Sequence, residues 1–242
     1  MSLGLKAAGL VKEYPGRAVV GPLTFEAATA TITAVIGPNG CGKSTLIGML
    51  AGLLRPDSGT VEYRDGSLTV PPGIGLMRRI TCVRQDPVLF SMTVRENIAY
   101  GLKLRGLPKP EIESRVDEAL DAAGLTGLAG ADARELSGGQ AKRAAIARAY
   151  ALRPDAVFLD EPGANLDPDG VVLLEGLIRR MRERFGTTVV LVTHNLFEAR
   201  RLPDRVLFLY GGRLVEQGTP DMIFGSPNDP LTRGFISGEA VY

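Results

Sequence analysis

The stretch GPNGCGKST, residues Gly37–Thr45, decides the fold of this chain. It matches the pattern G-x-x-x-x-G-K-[ST] at every fixed position, follows the apolar run Thr31–Ile36 and precedes the helical run Leu46–Leu54. In a strand, loop and helix of this kind, backbone N–H groups face a phosphate chain, the lysine adds a full charge and the serine can hold Mg²⁺. The alternative is a turn whose glycines serve only the chain reversal. The residues expected to bind a nucleotide are Gly37, Pro38, Asn39, Gly40, Cys41, Gly42, Lys43, Ser44 and Thr45.

A second apolar run ends in two acids. Val157–Leu159 leads into Asp160 and Glu161, and Pro162 breaks the element just after them. Ligands of parallel sheets sit at the carboxyl ends of the strands. We therefore expect Asp160 to hold Mg²⁺, directly or through water, and Glu161 to accept a proton from a water that attacks ATP. The alternative is a pair of solvated acids at a strand end.

Two further polar residues follow predicted strands. His194, the sole histidine, comes just after Thr188–Val192. A lone histidine there is usually a capping or packing residue, but beside the Asp160 strand it can hydrogen-bond the γ-phosphate or the attacking water. Gln85 follows Ile80–Val83 and can contact Mg²⁺ or water without adding charge. The expected catalytic residues are thus Lys43, Gln85, Glu161 and His194, and the expected metal ligands are Ser44, Gln85 and Asp160.

The remaining runs indicate an α/β fold, because continuous apolar runs are typical of strands covered on both faces of a mainly parallel sheet. The predicted strands are Val19–Glu26, Thr31–Ile36, Val61–Tyr63, Ile80–Val83, Ala156–Leu159, Thr188–Val192 and Arg205–Tyr210. Alternation over residues 61–70 predicts a small antiparallel piece, and the Pro-Gly cluster at residues 70–75 predicts a loop. The predicted helices are Thr93–Leu102, Lys109–Ala123 and Gly138–Leu152. We interpret the chain as a P-loop NTPase core with a small antiparallel β subdomain and a helical subdomain inserted at about residues 87–152, all within one domain over residues 1–242.

The totals exclude several classes of function. The 242 residues include 28 Lys and Arg against 27 Asp and Glu, so the net charge of +1 gives no overall field for nucleic acid or an acidic membrane surface. Cys41 and Cys82 are too few for a disulfide framework, and no signal peptide pattern opens the sequence, so we expect free thiols in the cytosol. The longest apolar runs are shorter than the ~18 residues that cross a bilayer.

A second glycine-rich stretch, LSGGQ at Leu136–Gln140, opens an alanine-rich helical run. Ser137, Gly138 and Gly139 are expected to start a helix whose unpaired N–H groups and positive dipole end form a second anion site. The plain structural alternative is a glycine helix start with the helix packed behind it. That alternative leaves Ser137 and Gln140 without a role.

In this order, GPNGCGKST, the Gln85 loop, LSGGQ, VFLDEP and the His194 strand resemble the nucleotide-binding subunit of an ABC transporter over essentially the whole chain. LSGGQ is the discriminating motif. The resemblance implies an ATPase in which Ser137, Gly138, Gly139 and Gln140 cap the γ-phosphate held by the P-loop of a second copy, so that two ATP molecules are sandwiched in a homodimer. It also implies that Tyr14 stacks on adenine, for which a strand-end aromatic is the alternative.

The sequence departs from the family pattern at three places. Gly163–Asp167 reads GANLD where the family usually has Thr or Ser and then a SALD-like loop, and because Asp167 is retained we expect the intersubunit contact to survive. Ala30-Thr31 stands where Gly-Glu is common. Cys41 replaces a small Ser or Ala, and we expect it to make activity sensitive to thiol reagents.

The resemblance further implies a membrane partner. Val88, Leu89, Phe90 and Met92 are expected to form an exposed apolar groove for a short helix of a separate permease, and core packing of the same residues is an alternative of equal weight. The chain looks most like ATPase subunits of bacterial importers, which sit at the cytoplasmic face of the inner membrane and act indirectly with a substrate-binding protein.

The C-terminal part, Ala199–Glu239, is similar to subunits of oxyanion importers, tungstate first and phosphate next. An exporter subunit or a phosphate importer remains the alternative. A nucleic-acid ATPase of the same family would carry two motif sets or a long coiled-coil insert, and the sequence has neither and no basic patch, so no nucleic-acid partner is expected. No extended C-terminal regulatory domain is expected either.

Overall fold

A computed structural model describes residues 2–15 and 17–239, so the ends of the predicted domain at residue 1 and residues 240–242, and Gly16 within it, lie outside the described residues. The strands form two sheets. The smaller sheet is antiparallel, in the order β2-β1-β4-β5, and the larger sheet has the order β10-β9-β3-β8-β7-β6. The strands are β1 Gly4–Tyr14, β2 Arg17–Ala27, β3 Ile32–Ile36, β4 Ser58–Asp65, β5 Leu68–Val70, β6 Ile80–Val83, β7 Ala156–Asp160, β8 Thr188–Val192, β9 Arg205–Tyr210 and β10 Arg213–Gly218.

The larger sheet is parallel except at one edge. β3 pairs in parallel with β8 and β9, β7 pairs in parallel with β6 and β8, and only β10 runs antiparallel to its neighbour β9. Every residue of β3, β7 and β8 is buried. This explains the continuous apolar sequence of these strands, since neither face is exposed to water. The predicted mainly parallel sheet with an antiparallel piece beside it is confirmed.

Alternate residues of the central strands belong to two separate cores. Val157 and Leu159 pack with the helices on one side of the large sheet. Phe158 faces the other way, into a core formed with α1 and the small antiparallel sheet. The helical layer and the antiparallel layer are therefore held to opposite faces of the same sheet.

Helix α6, Pro168–Phe185, begins and ends at residues that sequence rules favour. Asp167 caps α6 by accepting a hydrogen bond from Gly170 N at 2.8 Å, Pro168 is the first helical residue and Gly186 ends the helix at φ 67°. The helices are α1 Lys43–Leu50, α2 Ile74–Met77, α3 Val94–Leu104, α4 Lys109–Ala122, α5 Gly138–Ala151, α6 Pro168–Phe185, α7 Leu196–Arg201, α8 Pro220–Gly225 and α9 Pro230–Ser237, with short 3₁₀ turns η1 Thr126–Leu128 and η2 Ala133–Glu135. Within the described residues, no helix is long and apolar enough to cross a membrane.

Three local predictions differ from the structure. β1 and β10 were not predicted, because their own sequences carry no strong strand signal; β1 forms by pairing with β2 on one side and β4 on the other. The loop predicted at residues 70–75 is shorter, since β5 ends at Val70 and α2 begins at Ile74. Leu76, buried on α2, accounts for that helix through tertiary packing.

Candidate active site

The predicted site residues follow the carboxyl ends of neighbouring parallel strands. β7 and β8 are directly paired, with Asp160 opposite Val192, so Glu161 and His194 leave the sheet side by side. Gln85 follows β6, which pairs with β7 on its other side. Because parallel strands end at a common edge, residues distant in sequence meet there.

The loop between β3 and α1 has a backbone that only glycine suits at key positions. Gly42 caps α1 at φ 104°, and a Cβ there would lie 2.5 Å from the Val19 carbonyl oxygen. At Gly37, φ 155°, a Cβ would lie 2.1 Å from the Leu209 carbonyl oxygen. The loop is thus wedged between β2 and β9, and side chains at these positions would collide with the backbone of those strands and displace the loop.

Lys43 is buried in this loop with only 6% of its surface exposed. Its Nζ donates to the carbonyl oxygens of Gly37 at 2.8 Å and Pro38 at 3.0 Å. A cleft of about 260 Å³ opens beside it, and the residues that line it are Val19, Asn39, Gly40, Gly42, Lys43, Ser44, Thr45, Gln85 and Glu161. Gln85 and Glu161 therefore face the same space as the phosphate loop.

Two of the residues expected to supply oxygen ligands to Mg²⁺, Ser44 and Asp160, are in contact. The Ser44 hydroxyl donates to Asp160 Oδ1 at 3.1 Å. Burial raises the pKa of Asp160, and the Ser44 hydrogen bond opposes that rise. Mg²⁺ prefers hard oxygen ligands and usually takes only one or two from the protein, the rest coming from water and phosphate, so a hydroxyl and a carboxylate in contact at the phosphate cleft fit this ion.

Glu161 is held in an unusual backbone conformation, at φ 49°. Its amide donates to the Val192 carbonyl at 2.9 Å, and its carboxylate Oε2 lies 2.8 Å from His194 Nδ1 and accepts the His194 amide at 3.3 Å. The Glu161 side chain is 8% exposed and the His194 side chain 56% exposed. The side chain and the amide of His194 thus both contact the Glu161 carboxylate.

Tyr14 lies at a neighbouring cleft rather than at the one that Gln85 and Glu161 line. Its side chain is exposed, with Lys12 Nζ 5.7 Å from the ring centre. The cleft of about 300 Å³ beside it is lined by Tyr14, Ser44, Thr45, Ile47, Gly48, Leu53, Leu54, Cys82, Arg84 and Asp160. Since Ser44 and Thr45 line both clefts, the two spaces meet at the start of α1.

Ser137 and Gln140 have a local structural role that the sequence analysis missed. They form a capping box at the start of α5, in which Ser137 N donates to Gln140 Oε1 at 2.9 Å and Gln140 N donates to Ser137 Oγ at 3.3 Å. The expectation that a plain helix start leaves Ser137 and Gln140 without a role is therefore wrong. Gly138 is exposed, and a Cβ there would meet nothing within 4 Å, so this helix end remains open to an anion.

Two buried charged residues beside the site were not predicted. Lys142, on α5, contacts the backbone after Glu161, and Glu198, on α7, is 1% exposed and packs against Gly163. A signal for Lys142 was present in the sequence, since it stands four and eight residues before Ile146 and Tyr150 on one helix face, and both of these are buried. Glu198 follows the capping residue Asn195 and carries no comparable signal.

The expected thiol sensitivity of Cys41 is not supported by its environment. Cys41 is 6% exposed, and burial raises the pKa of its thiol, an effect that nearby Lys43 only partly offsets. Burial, with the charge of Asp160 as a smaller cause, raises the pKa of Cys82 to about 11. Thiols rather than thiolates predominate at neutral pH, so neither cysteine is activated toward alkylation.

The predicted apolar groove exists, with a different lining. Val88 and Phe90 line a cleft of about 360 Å³ together with Tyr100, Arg148 and others, and Val88 is 76% exposed. Leu89 instead is half-buried and packs against the helical core, so for this residue the alternative of core packing holds. Its neighbours Val88 and Phe90 are exposed and line the groove.

Comparison with known proteins agrees with this geometry. The family model described as ABC transporter matches residues 20–164. A phosphate import ATP-binding protein, PstB 2 of Natronomonas pharaonis, is 38% identical over 99% of this chain and 88% of its own length. A probable anion import ATP-binding protein of Haloferax volcanii is 39% identical over 98% of this chain and 88% of its own. A spermidine/putrescine import ATP-binding protein, PotA of Marinobacter nauticus, is 38% identical over 96% of this chain and 62% of its own.

Solved structures share the fold of this chain. An ATP-binding subunit of an ABC transporter superposes with a TM-score of 0.84 at 27% identity, over 98% of this chain and 99% of the other. A dimeric post-hydrolysis state of an ATP-binding cassette with ADP and Pi superposes with a TM-score of 0.80 at 26% identity, over 89% of this chain and 98% of the other.

Proposed function

This chain belongs to the ABC transporter family and is an ATPase, and from that premise we propose that it powers the import of a solute through a separate membrane permease. The observation that carries the proposal is the buried carboxylate of Glu161, which opens onto the phosphate-loop cleft and is aligned by His194. The import function is supported by the relatives, all three of which carry names of import ATP-binding proteins. We also propose that residues 1–242 form one ATPase domain in which residues 87–152 are the helical subdomain.

The proposed chemistry assigns each side chain a separate task. Lys43 and the N–H groups of its loop bind the β- and γ-phosphates of ATP. Glu161 accepts a proton from the attacking water, and His194 holds the carboxylate toward that water. Gln85, which lines the same cleft, contacts that water or Mg²⁺.

Ser44 and Asp160 are the residues proposed to hold Mg²⁺, with Gln85 as a further oxygen ligand. When bound, Mg²⁺ neutralises charge on the phosphate oxygens. The contact between the Ser44 hydroxyl and Asp160 Oδ1 at 3.1 Å, beside the phosphate-loop cleft that Ser44 lines, supports this assignment.

We propose that the complete site needs a second copy of the chain. Ser137 to Gln140, at the open start of α5, do not line the phosphate cleft of their own protomer. The exposed N–H groups there suit the γ-phosphate bound by a partner's loop. The solved relative that is dimeric with ADP and Pi bound supports an assembly of two copies.

The groove lined by Val88 and Phe90 is the proposed docking site of the permease. Through that contact the chain would be held at the cytoplasmic face of the inner membrane and linked indirectly to a substrate-binding protein. An apolar surface flanked by polar groups is typical of a site for a short partner helix.

The transported solute is proposed to be an oxyanion, with tungstate first. The phosphate and anion import relatives support the oxyanion class. Identity does not discriminate further, because the polyamine import relative is as similar as the phosphate relative, at 38%. A phosphate importer is the second candidate, favoured by the N. pharaonis relative, and an exporter subunit is a more distant one.

The catalytic assignment is tested with Glu161→Gln, which should retain ATP affinity and lose about 10²- to 10⁴-fold in kcat, since a general base acts mainly in the transition state. Glu183→Gln, the same chemical change at an exposed position of α6, is the matched control. ATP binding by calorimetry and phosphate release are the two readouts. Near-normal turnover of Glu161→Gln would remove Glu161 from the proposed role.

The solute is tested by reconstituting the chain with its permease and binding protein in vesicles. Tungstate is expected to stimulate ATP hydrolysis more than phosphate does, with spermidine as the negative control. Stimulation by phosphate alone would favour the second candidate, and stimulation by spermidine would exclude the oxyanion class.

A further inference from the structure

Lys142 is a buried cation on α5 whose surroundings are not explained by helix packing. Only 6% of its surface is exposed. Lysine is almost never buried to this degree without a partner, because the ammonium group must replace its lost hydration. A residue that needed only to pack beside Ile146 would be apolar.

The Lys142 ammonium group is bonded to the backbone of the loop that begins with Glu161. Nζ donates to the Glu161 carbonyl at 2.9 Å and to the Ala164 carbonyl at 3.0 Å. The Ala164 amide also donates to the Glu161 carbonyl, at 3.3 Å, which closes the same turn. Lys142 therefore holds both ends of the four-residue segment.

This backbone needs such support. Glu161 adopts φ 49°, a conformation that persists in a residue with a side chain only where its surroundings impose it. Its amide is fixed by β8 through Val192, whereas its carbonyl is fixed by Lys142 from α5. The direction of the Glu161 carboxylate thus depends on the sheet and on α5 together.

Acidic groups surround the ammonium group on several elements. Burial lowers the pKa of Lys142, while the charges of Asp86, Glu161, Glu198 and Asp160 oppose that change. Glu198, from α7, packs against the same loop, where a Cβ on Gly163 would meet its Oε1 at 3.0 Å. The loop is therefore hydrogen-bonded to a cation from α5 and packed against a carboxylate from α7.

We infer that Lys142 is a positioning residue that transmits the placement of α5 to Glu161. The inference rests on the proposed function, in which α5 begins at the anion site for the partner's ATP and Glu161 acts on the protomer's own ATP. A single helix then contacts one nucleotide with its first turn and holds the base of the other site with its second. Lys142 links the two ATP sites of the dimer.

Lys142→Met tests this inference, because it keeps the length of the side chain and removes both hydrogen bonds. We expect kcat to fall about 10- to 100-fold, since small misplacements of a catalytic group cost rates of this order, while the Kd for ATP stays within about twofold. In the Glu161→Gln background, ATP-driven dimerisation should be unchanged by Lys142→Met.

Arg143→Met is the matched control. Arg143 is the next residue of α5 and also donates to two backbone carbonyls, those of Ala123 at 2.8 Å and Gly124 at 3.5 Å, but these lie at the end of α4 and away from Glu161. Its kcat should stay within about twofold of the parent. Thermal melting of both variants monitors folding.

Three results would overturn the inference. The first is a kcat for Lys142→Met equal to that of Arg143→Met, and the second is a parallel loss of ATP affinity and turnover. Lys142→Gln, whose amide nitrogen keeps two N–H donors, is used if the Met variant does not fold. The third result is failure of both variants to fold, which would assign Lys142 a structural role only.

Failure of this inference and failure of the proposed function give different results. If Glu161→Gln hydrolyses ATP normally, the proposed function fails; if Glu161→Gln is inactive and Lys142→Met has normal kcat, only the role of Lys142 fails.

Discussion

Glu161 shows how one residue combines strain, burial and exposure to the reaction. A left-handed backbone costs a non-glycine residue about 1–2 kcal/mol, and Glu161 adopts one at φ 49°. Contacts from Val192 and Lys142 hold this conformation, which aims the carboxylate at His194 and the phosphate cleft. Strained residues of this kind are concentrated at active sites, where the contacts of the surrounding fold offset the strain and fix the position of a functional side chain.

Tyr14→Ala should weaken ATP binding without changing the chemical step. An aromatic stack contributes about 0.5–1.5 kcal/mol beyond burial, which corresponds to about a two- to tenfold rise in Kd. Tyr14 lies beside a cleft that shares Ser44 and Thr45 with the phosphate site, where adenine can extend. Calorimetry of ATP binding and saturating kcat measure the two effects separately. Tyr14→Phe is the control that keeps the ring, and a normal Kd for Tyr14→Ala would assign this residue to the strand end alone.

The burial of Glu198 predicts that the free energy of unfolding of this protein depends on pH. Both of its carboxylate oxygens are buried without a hydrogen-bond partner at ordinary distance among the described residues. Burial raises the pKa of Glu198 above its ordinary value of 4.5, and Thr193, as the second cause, lowers it less. Because the folded protein then binds a proton more readily than the unfolded chain, the stability that this group contributes is present below pH 4.5 and is lost as the pH rises through the folded-state value.

Glu198→Gln should remove this dependence. An uncompensated buried polar group costs about 1–3 kcal/mol, more when charged, and each kcal/mol corresponds to about 2–4 °C in Tm for a protein of this size. The Tm of the variant relative to the parent should therefore rise by several degrees between about pH 5 and pH 8. Calorimetric melts at both pH values test this. A constant difference in Tm would mean that Glu198 is equally ionised in the folded and unfolded states.

At the scale of elements, α3 and α5 begin in the same way and allow a matched comparison. Thr93 and Glu96 form a capping box on α3, as Ser137 and Gln140 do on α5. Ser137→Ala and Thr93→Ala should each lower the free energy of unfolding by about 0.5–2 kcal/mol. Only Ser137→Ala should also weaken ATP-driven dimerisation, because only α5 is proposed to meet the partner's phosphate. Chemical denaturation and light scattering give the two readouts, and equal dimerisation by both variants would restrict Ser137 to its capping role.

The elements that carry the site were those that the sequence predicted best. β6 and β8 match their predicted bounds, and β7 is one residue longer, because buried parallel strands are continuous apolar runs. β1 and β10 were missed because they depend on pairing partners that are distant in sequence. The spacing of Lys142 to Ile146 and Tyr150 predicts that it is buried, but its bonding partners could not be predicted, because they are backbone carbonyls, which carry no residue-specific pattern.

At the scale of the whole molecule, the large sheet separates two layers that serve different ends. The face with α1 and the antiparallel sheet includes Cys41 and Leu46, which support the phosphate loop. The opposite face holds α3 to α6, and the groove of Val88 and Phe90 opens there beside α3 and α5. Nucleotide and permease would therefore act on different layers. Helix α5 would contact both, because its first turns lie at the proposed nucleotide sites and Arg148, further along the helix, lines the groove.

The two-copy site makes the last prediction. Glu161→Gln in Mg²⁺ and excess ATP should form a dimer, whereas the same variant in ADP should remain monomeric, because only the γ-phosphate reaches the partner's α5. A stable association buries about 1,200–2,000 Å² of surface in total. In the proposed dimer, part of that surface is the exposed polar start of α5, and each γ-phosphate is bound by both protomers. Light scattering coupled to size exclusion gives the mass directly, and Ser137→Ala in the same background should shift the population back toward monomer. A strictly monomeric Glu161→Gln protein at saturating ATP, even with its permease present, would mean that a protomer hydrolyses ATP without the partner's Ser137.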